Sequence, residues 1–184
     1  MQKKKSIALR QIIFSAIALA LATVLSFVKL FSMPMGGSIT LLSMFFVCII
    51  GYWYGPKVSF LAAFAYGLLQ LAIEPYILSP LQLICDYGLA FTALGLSGLF
   101  YKKKFGLQIG YLVGVFGRFV FAVLSGVLFF ADYTPPEFSS PLIYSVAYNG
   151  AYLGVEAAIT LVIIFIPPVY KGLAKLKSIA LSQS

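Results

Sequence analysis

The sequence predicts an all-α membrane protein: a single domain over residues 1–184, built as a bundle of six transmembrane helices with both termini in the cytoplasm. Three observations lead there. The first is composition: 61% of residues are hydrophobic and 10% charged, with mean hydropathy +1.00, too few charges to coat a water-soluble globule. The second is the length of the apolar runs, which suits helices of about 20 residues and not the roughly ten-residue alternating strands of an outer-membrane barrel. The third is the placing of the lysines, which gather at alternate ends of those runs.

The runs put spans at about 6–28, 39–54, 58–73, 81–100, 107–130 and 143–166, with short basic tails over 1–6 and 168–184. The opening MQKKKSIALR has the charge of a signal peptide, but the run after it is too long and has no convincing cleavage site, so it reads as a retained first helix. A cytoplasmic N-terminus puts Lys3, Lys4, Lys5, Arg10, Lys57, Lys102, Lys103, Lys104, Lys171, Lys175 and Lys177 inside, and Lys29, Glu74, Asp132 and Glu137 outside. The net charge of +8 is therefore a topology and lipid-headgroup signal rather than a nucleic-acid surface.

In the first span, Ala16 and Ala20 stand four residues apart, as do Ala18 and Ala22, a spacing that admits another helix closely or reflects only the abundance of alanine. The loop KLFSMPMGGSIT follows, with tight backbone at Gly36 and Gly37 and with Ser38 or Thr40 available to cap the second helix. Trp53, at the inner end of the second span, reads as an interfacial anchor. The loop DYTPPEFSSPL is stiffened by proline. These two loops and the turn at Pro75 and Tyr76 share the outer face, as a lid or as plain connections.

Enzymatic chemistry finds little to work with. The chain has no histidine, no paired acids and two cysteines, Cys48 and Cys85, both inside apolar runs, so neither a catalytic set nor a metal site is expected. No Gly-Lys-Ser or Gly-Lys-Thr phosphate loop is present, so any use of ATP falls to partners.

Asp86 is the exception to an apolar interior. It lies about 9 Å below the start of the fourth span by helix rise, and Asn149 reaches nearly the same depth on the sixth. An acid placed there marks either a ligand site or an interhelical hydrogen bond. Gln82 precedes it by one turn and Tyr87 follows it. Tyr144, Tyr148 and Tyr152 repeat every four residues on the sixth span, and Phe130 and Tyr133 close the outer end of the fifth. An acid, an amide and several aromatic faces suit a small cationic ring, although tyrosines near headgroups also form plain interfacial belts. Arg118 and Glu156 fall near mid-depth and are expected to pair with each other or with backbone carbonyls, as a structural ion pair below that pocket or as a gate.

Four segments, MPMGGSITLLSM, SPLQLICDYGLAFTALGLSGLF, GRFVFAVLSGVLFFADYTP and YSVAYNGAY, resemble the thiamine-binding substrate-capture (S) components of energy-coupling-factor transporters. The likeness runs from the first span to near the end of the sixth. It implies a subunit of a bacterial plasma membrane that captures thiamine externally, with no covalent cofactor, and works with a transmembrane coupling subunit and two cytoplasmic ATPases. It also implies that Asp86 faces the thiazolium, that Tyr87, Phe130, Tyr144 and Asn149 line the site, that the first loop covers it, and that the alanines of the first helix meet the coupling subunit. Two positions depart from the family: Ala122 stands where a histidine usually precedes the LSG segment, and Ser79 where a second often precedes Pro-x-Gln. A pyrimidine precursor of thiamine or a vitamin B6 form therefore stays beside thiamine. A self-sufficient secondary transporter is the rival of another class, although neither internal repeats nor broken midplane helices are evident.

Overall fold

The computed structural model describes residues 2–182, with side chains from residue 9 onward, so the side chains of Lys3, Lys4 and Lys5 lie outside the described residues. Helix α1 covers Gln2–Ser26 and leads into a short antiparallel hairpin, β1 (Lys29–Ser32) and β2 (Ser38–Thr40), with Phe31 opposite Ile39 and Ser32 opposite Ser38. The hairpin turns through Pro34–Gly36, where Met35 and Gly36 have φ of +59° and +90°. Glycine takes such a conformation without strain.

Helix α2 (Ser43–Tyr54) has only 12 residues, about 18 Å of rise against a hydrocarbon core of about 30 Å. Ser38 and Thr40, expected to cap α2, are strand residues instead, and the residue before the helix is Leu42 in a left-handed conformation. Because α2 is enclosed by α1 and the helices that follow, Met44, Val47 and Ile50 are fully buried. Trp53 is also inside the bundle, edge-on to Phe14 at 5.9 Å between ring centroids, and is not the interfacial anchor its position suggests.

Gly55 (φ +81°) and Pro56 make the tight turn into α3 (Pro56–Ile73). Helix α4 is the continuous run Pro80–Phe100; it widens into a π-helical turn over Ile84–Leu89 and tightens to 3₁₀ geometry over Ala93–Phe100. Helices α5 (Gly106–Phe129) and α6 (Pro141–Phe165) complete the bundle, α6 being capped by Ser140, whose hydroxyl accepts the Ile143 amide hydrogen at 3.3 Å.

Five helices, α1 and α3 to α6, are long and apolar enough to cross a membrane. Large apolar side chains such as Ile12, Leu61, Leu81, Phe116, Leu128 and Val162 point outward, an exterior suited to lipid and not to water.

The segment after residue 166, expected as a tail, is the amphipathic helix α7 (Pro167–Leu181). It is pinned beside the start of α1 and the ends of α2 and α4. Arg10 donates to the carbonyl and hydroxyl of Ser182, and Tyr54 donates to the Ala180 carbonyl at 3.4 Å. Lys177 donates to the Tyr101 carbonyl at 2.6 Å and lies 3.7 Å from the Tyr52 ring centroid. Partial burial pulls the Lys177 ammonium below the usual lysine range.

Candidate ligand-binding cavity

The π-helical turn of α4 presents Asp86. Just before it, Ser79 caps the helix by accepting the Gln82 amide hydrogen at 3.1 Å, and Pro80 sits at the first helical position. Gln82, 1% exposed, then engages both ends of its side-chain amide. Its Nε2 donates to the Tyr76 carbonyl at 3.0 Å and to Asp86 Oδ2 at 2.6 Å, while its Oε1 accepts from Leu78 N at 3.1 Å. Asp86 thus has a neutral partner. The ion pair found among the described residues is elsewhere, between Lys29 and Glu74 at 2.7 Å. Ser125 of α5, almost fully buried, turns a hydroxyl without a hydrogen-bond partner into the same space.

Tyr87 ties the loop between α3 and α4 to the latter helix. Its hydroxyl donates to the Glu74 carbonyl and accepts from Tyr76 N, both at 2.9 Å, and its ring stacks on Phe91. Across the cavity, Tyr144, Tyr148 and Tyr152 form the expected column on α6, successive ring centroids 5.8 Å apart. The Tyr148 hydroxyl accepts from Gly37 N at 2.9 Å and donates to the Pro34 carbonyl, which fastens the hairpin turn over the mouth. Asn149 is buried and already engaged: Nδ2 donates to the Ser145 carbonyl at 2.9 Å and the Ser145 hydroxyl at 3.2 Å, and Oδ1 accepts from Tyr152 at 3.0 Å. That leaves the amide one free acceptor position and no free donor.

These groups line one cavity of about 190 Å³. Its aromatic walls come from Tyr66, Tyr76, Tyr87, Phe91, Phe130, Tyr144, Tyr148 and Tyr152, and its cover from Met35, Gly36, Gly37 and Ser38. Charged lining residues are Glu74, Asp86, Arg118 and Glu156. Glu74 is neutralised by Lys29, so two carboxylates face one guanidinium, and the cavity carries one net negative charge when all are ionised (−2 + 1 = −1).

Of the residues singled out from the sequence, Asp86, Tyr87, Gln82, Asn149, Tyr144, Tyr148, Phe130, Gly36, Gly37 and Ser38 line the cavity. Tyr133 does not; it is half exposed and packs on the outer side of Phe130. Ser79 serves as a helix cap and is not in the lining, whereas Ala122 is.

Two expectations need correction. Arg118 and Glu156 line the cavity rather than lying below it, and they do not form an ion pair. Arg118 stacks its guanidinium 4.1 Å from the Phe91 ring centroid. Glu156 instead accepts from Thr40 Oγ1 at 2.7 Å, Ser43 Oγ at 3.1 Å and Met44 N at 3.2 Å. The alanine set on α1 also divides. Ala16 and Ala20 face outward, but Ala18 and Ala22 are buried in the bundle core and cannot meet a partner. Alanines two apart lie about 200° apart around a helix, so the two pairs could never share one face.

Sequence reasoning missed Tyr76, Phe91, Ser125 and Thr40 as lining residues. Tyr76 stacks on Phe130 at 5.9 Å, a contact between two loop ends that no local periodicity encodes.

Comparison with known proteins places this architecture. Residues 12–175 match the family model described as "Thiamine transporter protein". Thiamine transporter ThiT of Bacillus subtilis is 34% identical over 155 residues, covering 75% of this chain and 79% of that protein. Thiamine transporter ThiT of Lacticaseibacillus paracasei is 29% identical over 120 residues, covering 56% and 59%. A solved structure of ThiT from Listeria monocytogenes superposes with a TM-score of 0.69 at 27% identity, covering 90% of this chain and 97% of that one. This transporter relationship, together with the long apolar helices and the apolar exterior, makes the chain a multi-pass plasma-membrane protein. Since the match takes in both faces of the cavity and all the long helices, the chain belongs to the thiamine transporter protein family.

Proposed function

We propose that the protein is the substrate-capture subunit of an energy-coupling-factor transporter and binds thiamine in this cavity. The observation that carries the reading is the cavity's one net negative charge inside walls of aromatic rings. A singly positive aromatic ring neutralises the first and stacks on the second. Asp86 faces the thiazolium, with Tyr87, Phe130, Tyr144 and Tyr148 as ring contacts. Asn149 contributes its free acceptor position, and Gly36, Gly37 and Ser38 form the lid.

In this reading six segments cross the membrane, α2 together with the hairpin making the second crossing, and both termini are cytoplasmic. The Arg10–Ser182 contact, which holds the two ends of the chain on one face, supports an even number of crossings. A transmembrane coupling subunit docks on the outward Ala16 and Ala20 stripe, and two cytoplasmic ATPases supply the energy.

A second reading keeps the subunit class but changes the ligand. Ala122 gives the wall a methyl group where the family usually has an imidazole, which favours a related ring compound that needs no partner there, such as the pyrimidine precursor or a vitamin B6 form. Calorimetric titration of the purified protein with thiamine, its pyrimidine moiety and pyridoxine separates these, because the charge argument requires thiamine to bind most tightly. Uptake measured with and without coexpressed coupling and ATPase subunits tests the assembly. Uptake by this chain alone would identify a self-sufficient transporter.

A further inference from the structure

Glu156 lies two helical turns beyond Asn149 on α6, about 10 Å further from the lid by helix rise. It is 3% exposed, borders the cavity and has no cation within ion-pair distance among the described residues. A carboxylate offers about four acceptor positions, and three are taken by neutral donors: Ser43 Oγ and Met44 N on Oε1, and Thr40 Oγ1 on Oε2. One position on Oε2 is left. A glutamine could accept from Ser43 and Met44 on its one oxygen and donate to Thr40, whose hydroxyl would turn to Ser43 Oγ 2.7 Å away, at lower desolvation cost than a buried acid, so the hydrogen bonds to α2 and the hairpin do not by themselves account for a glutamate here.

We propose that Glu156 is the ligand's second anchor, accepting an N–H bond from an exocyclic amine on the ring system while Asp86 faces the positive ring. Charge balance selects the class. A dication would leave the cavity with excess positive charge, whereas a monocation bearing a neutral amine at its other end leaves it balanced. The inference rests on the thiamine reading and deepens it by assigning the aminopyrimidine end.

The test is calorimetric titration of the full chain with thiamine and with its 4-oxo counterpart, in which a carbonyl replaces the amine, using the unaltered protein, Glu156→Gln and Asp86→Asn. The unaltered protein should prefer the amine by at least tenfold, and Glu156→Gln should reduce that preference to under threefold. Asp86→Asn should weaken both ligands equally, since both carry the positive ring. Equal affinity of the unaltered protein for the two ligands, or equal losses for both in Glu156→Gln, would overturn the role of Glu156 while leaving an Asp86 effect intact. Failure of the unaltered protein to bind either ligand would overturn both this inference and the thiamine reading. If Glu156→Gln does not fold, the amine preference of the unaltered protein decides.

Discussion

Gln82 Nε2 stands 2.6 Å from Asp86 Oδ2, one helical turn away, so the acid at the π-helical turn is steadied by a neutral amide and has no cation within ion-pair distance among the described residues. A carboxylate arranged in this way is oriented before a ligand arrives. Replacing it with Asn keeps the shape and removes the charge. Affinity for thiamine should fall by about 10- to 100-fold, the loss expected for one charge-assisted contact of about 1.5–3 kcal/mol. Affinity for an uncharged analogue should change by less than about threefold, on the same accounting for a neutral contact. Calorimetry with both ligands checks this, and equal losses would remove the charge-pairing role.

Tyr148 is the fastening point of the hairpin turn. Its hydroxyl meets both the Gly37 amide and the Pro34 carbonyl, and a Cβ at Gly37 would lie 2.5 Å from that oxygen. Tyr148→Phe removes both bonds while keeping the ring. Loss of about 1–2 kcal/mol of lid closure should raise the thiamine dissociation rate about 5- to 30-fold, with little change in association. Gly37→Ala should act in the same direction by displacing the hydroxyl. Stopped-flow fluorescence of ligand release reads the effect, and an unchanged off-rate in both variants would show that the turn is no lid.

The Lys29–Glu74 pair joins the hairpin to the end of α3, but both side chains are substantially exposed. Exposed pairs contribute about 0–1 kcal/mol, so Lys29→Ala should alter thiamine affinity by no more than about fivefold. Whatever effect appears at low ionic strength should vanish by about 1 M salt, where the screening length is about 3 Å. A large effect that persists in salt would mean that Lys29 touches the ligand.

The bundle and the outer half of the cavity were legible in the sequence for a physical reason: lipid imposes length and hydropathy on each span, and an acid such as Asp86 cannot hide in an apolar run. The tyrosine column on α6 followed from four-residue spacing alone. What escaped notice depended on the third dimension. The pairing of Arg118 with Glu156 was inferred from similar depth, yet depth fixes height and not direction around a helix. In the structure Phe91 takes the guanidinium, and the hydroxyls of Thr40 and Ser43 take the acid. The segment KLFSMPMGGSIT reads as a loop, with only Ile39 and Thr40 drawn into the second span because Leu41 and Leu42 continue the apolar run; in the structure those two residues, Ile39 and Thr40, belong to β2, and hydropathy does not distinguish a strand from a helix start.

Gly67 on α3 sets how closely that helix can approach the π-helical turn. A Cβ there would collide with the Tyr87 carbonyl and come within 3.0 Å of Phe91 Cβ, so an added methyl must push α3 away from the segment that aims Asp86 and Tyr87. Overpacking of this kind costs about 1–3 kcal/mol, and Gly67→Ala should lower the unfolding midpoint by several degrees. Gly154 on α6 is the matched control, since a Cβ there meets nothing within 4 Å. Gly154→Ala should be neutral or stabilising by up to about 1 kcal/mol through helix propensity. Thermal unfolding in detergent and thiamine titration of the two variants compare them directly. Gly67→Ala should lose both stability and affinity, whereas identical behaviour of the two would mean that the π-helical turn holds its shape without support from α3.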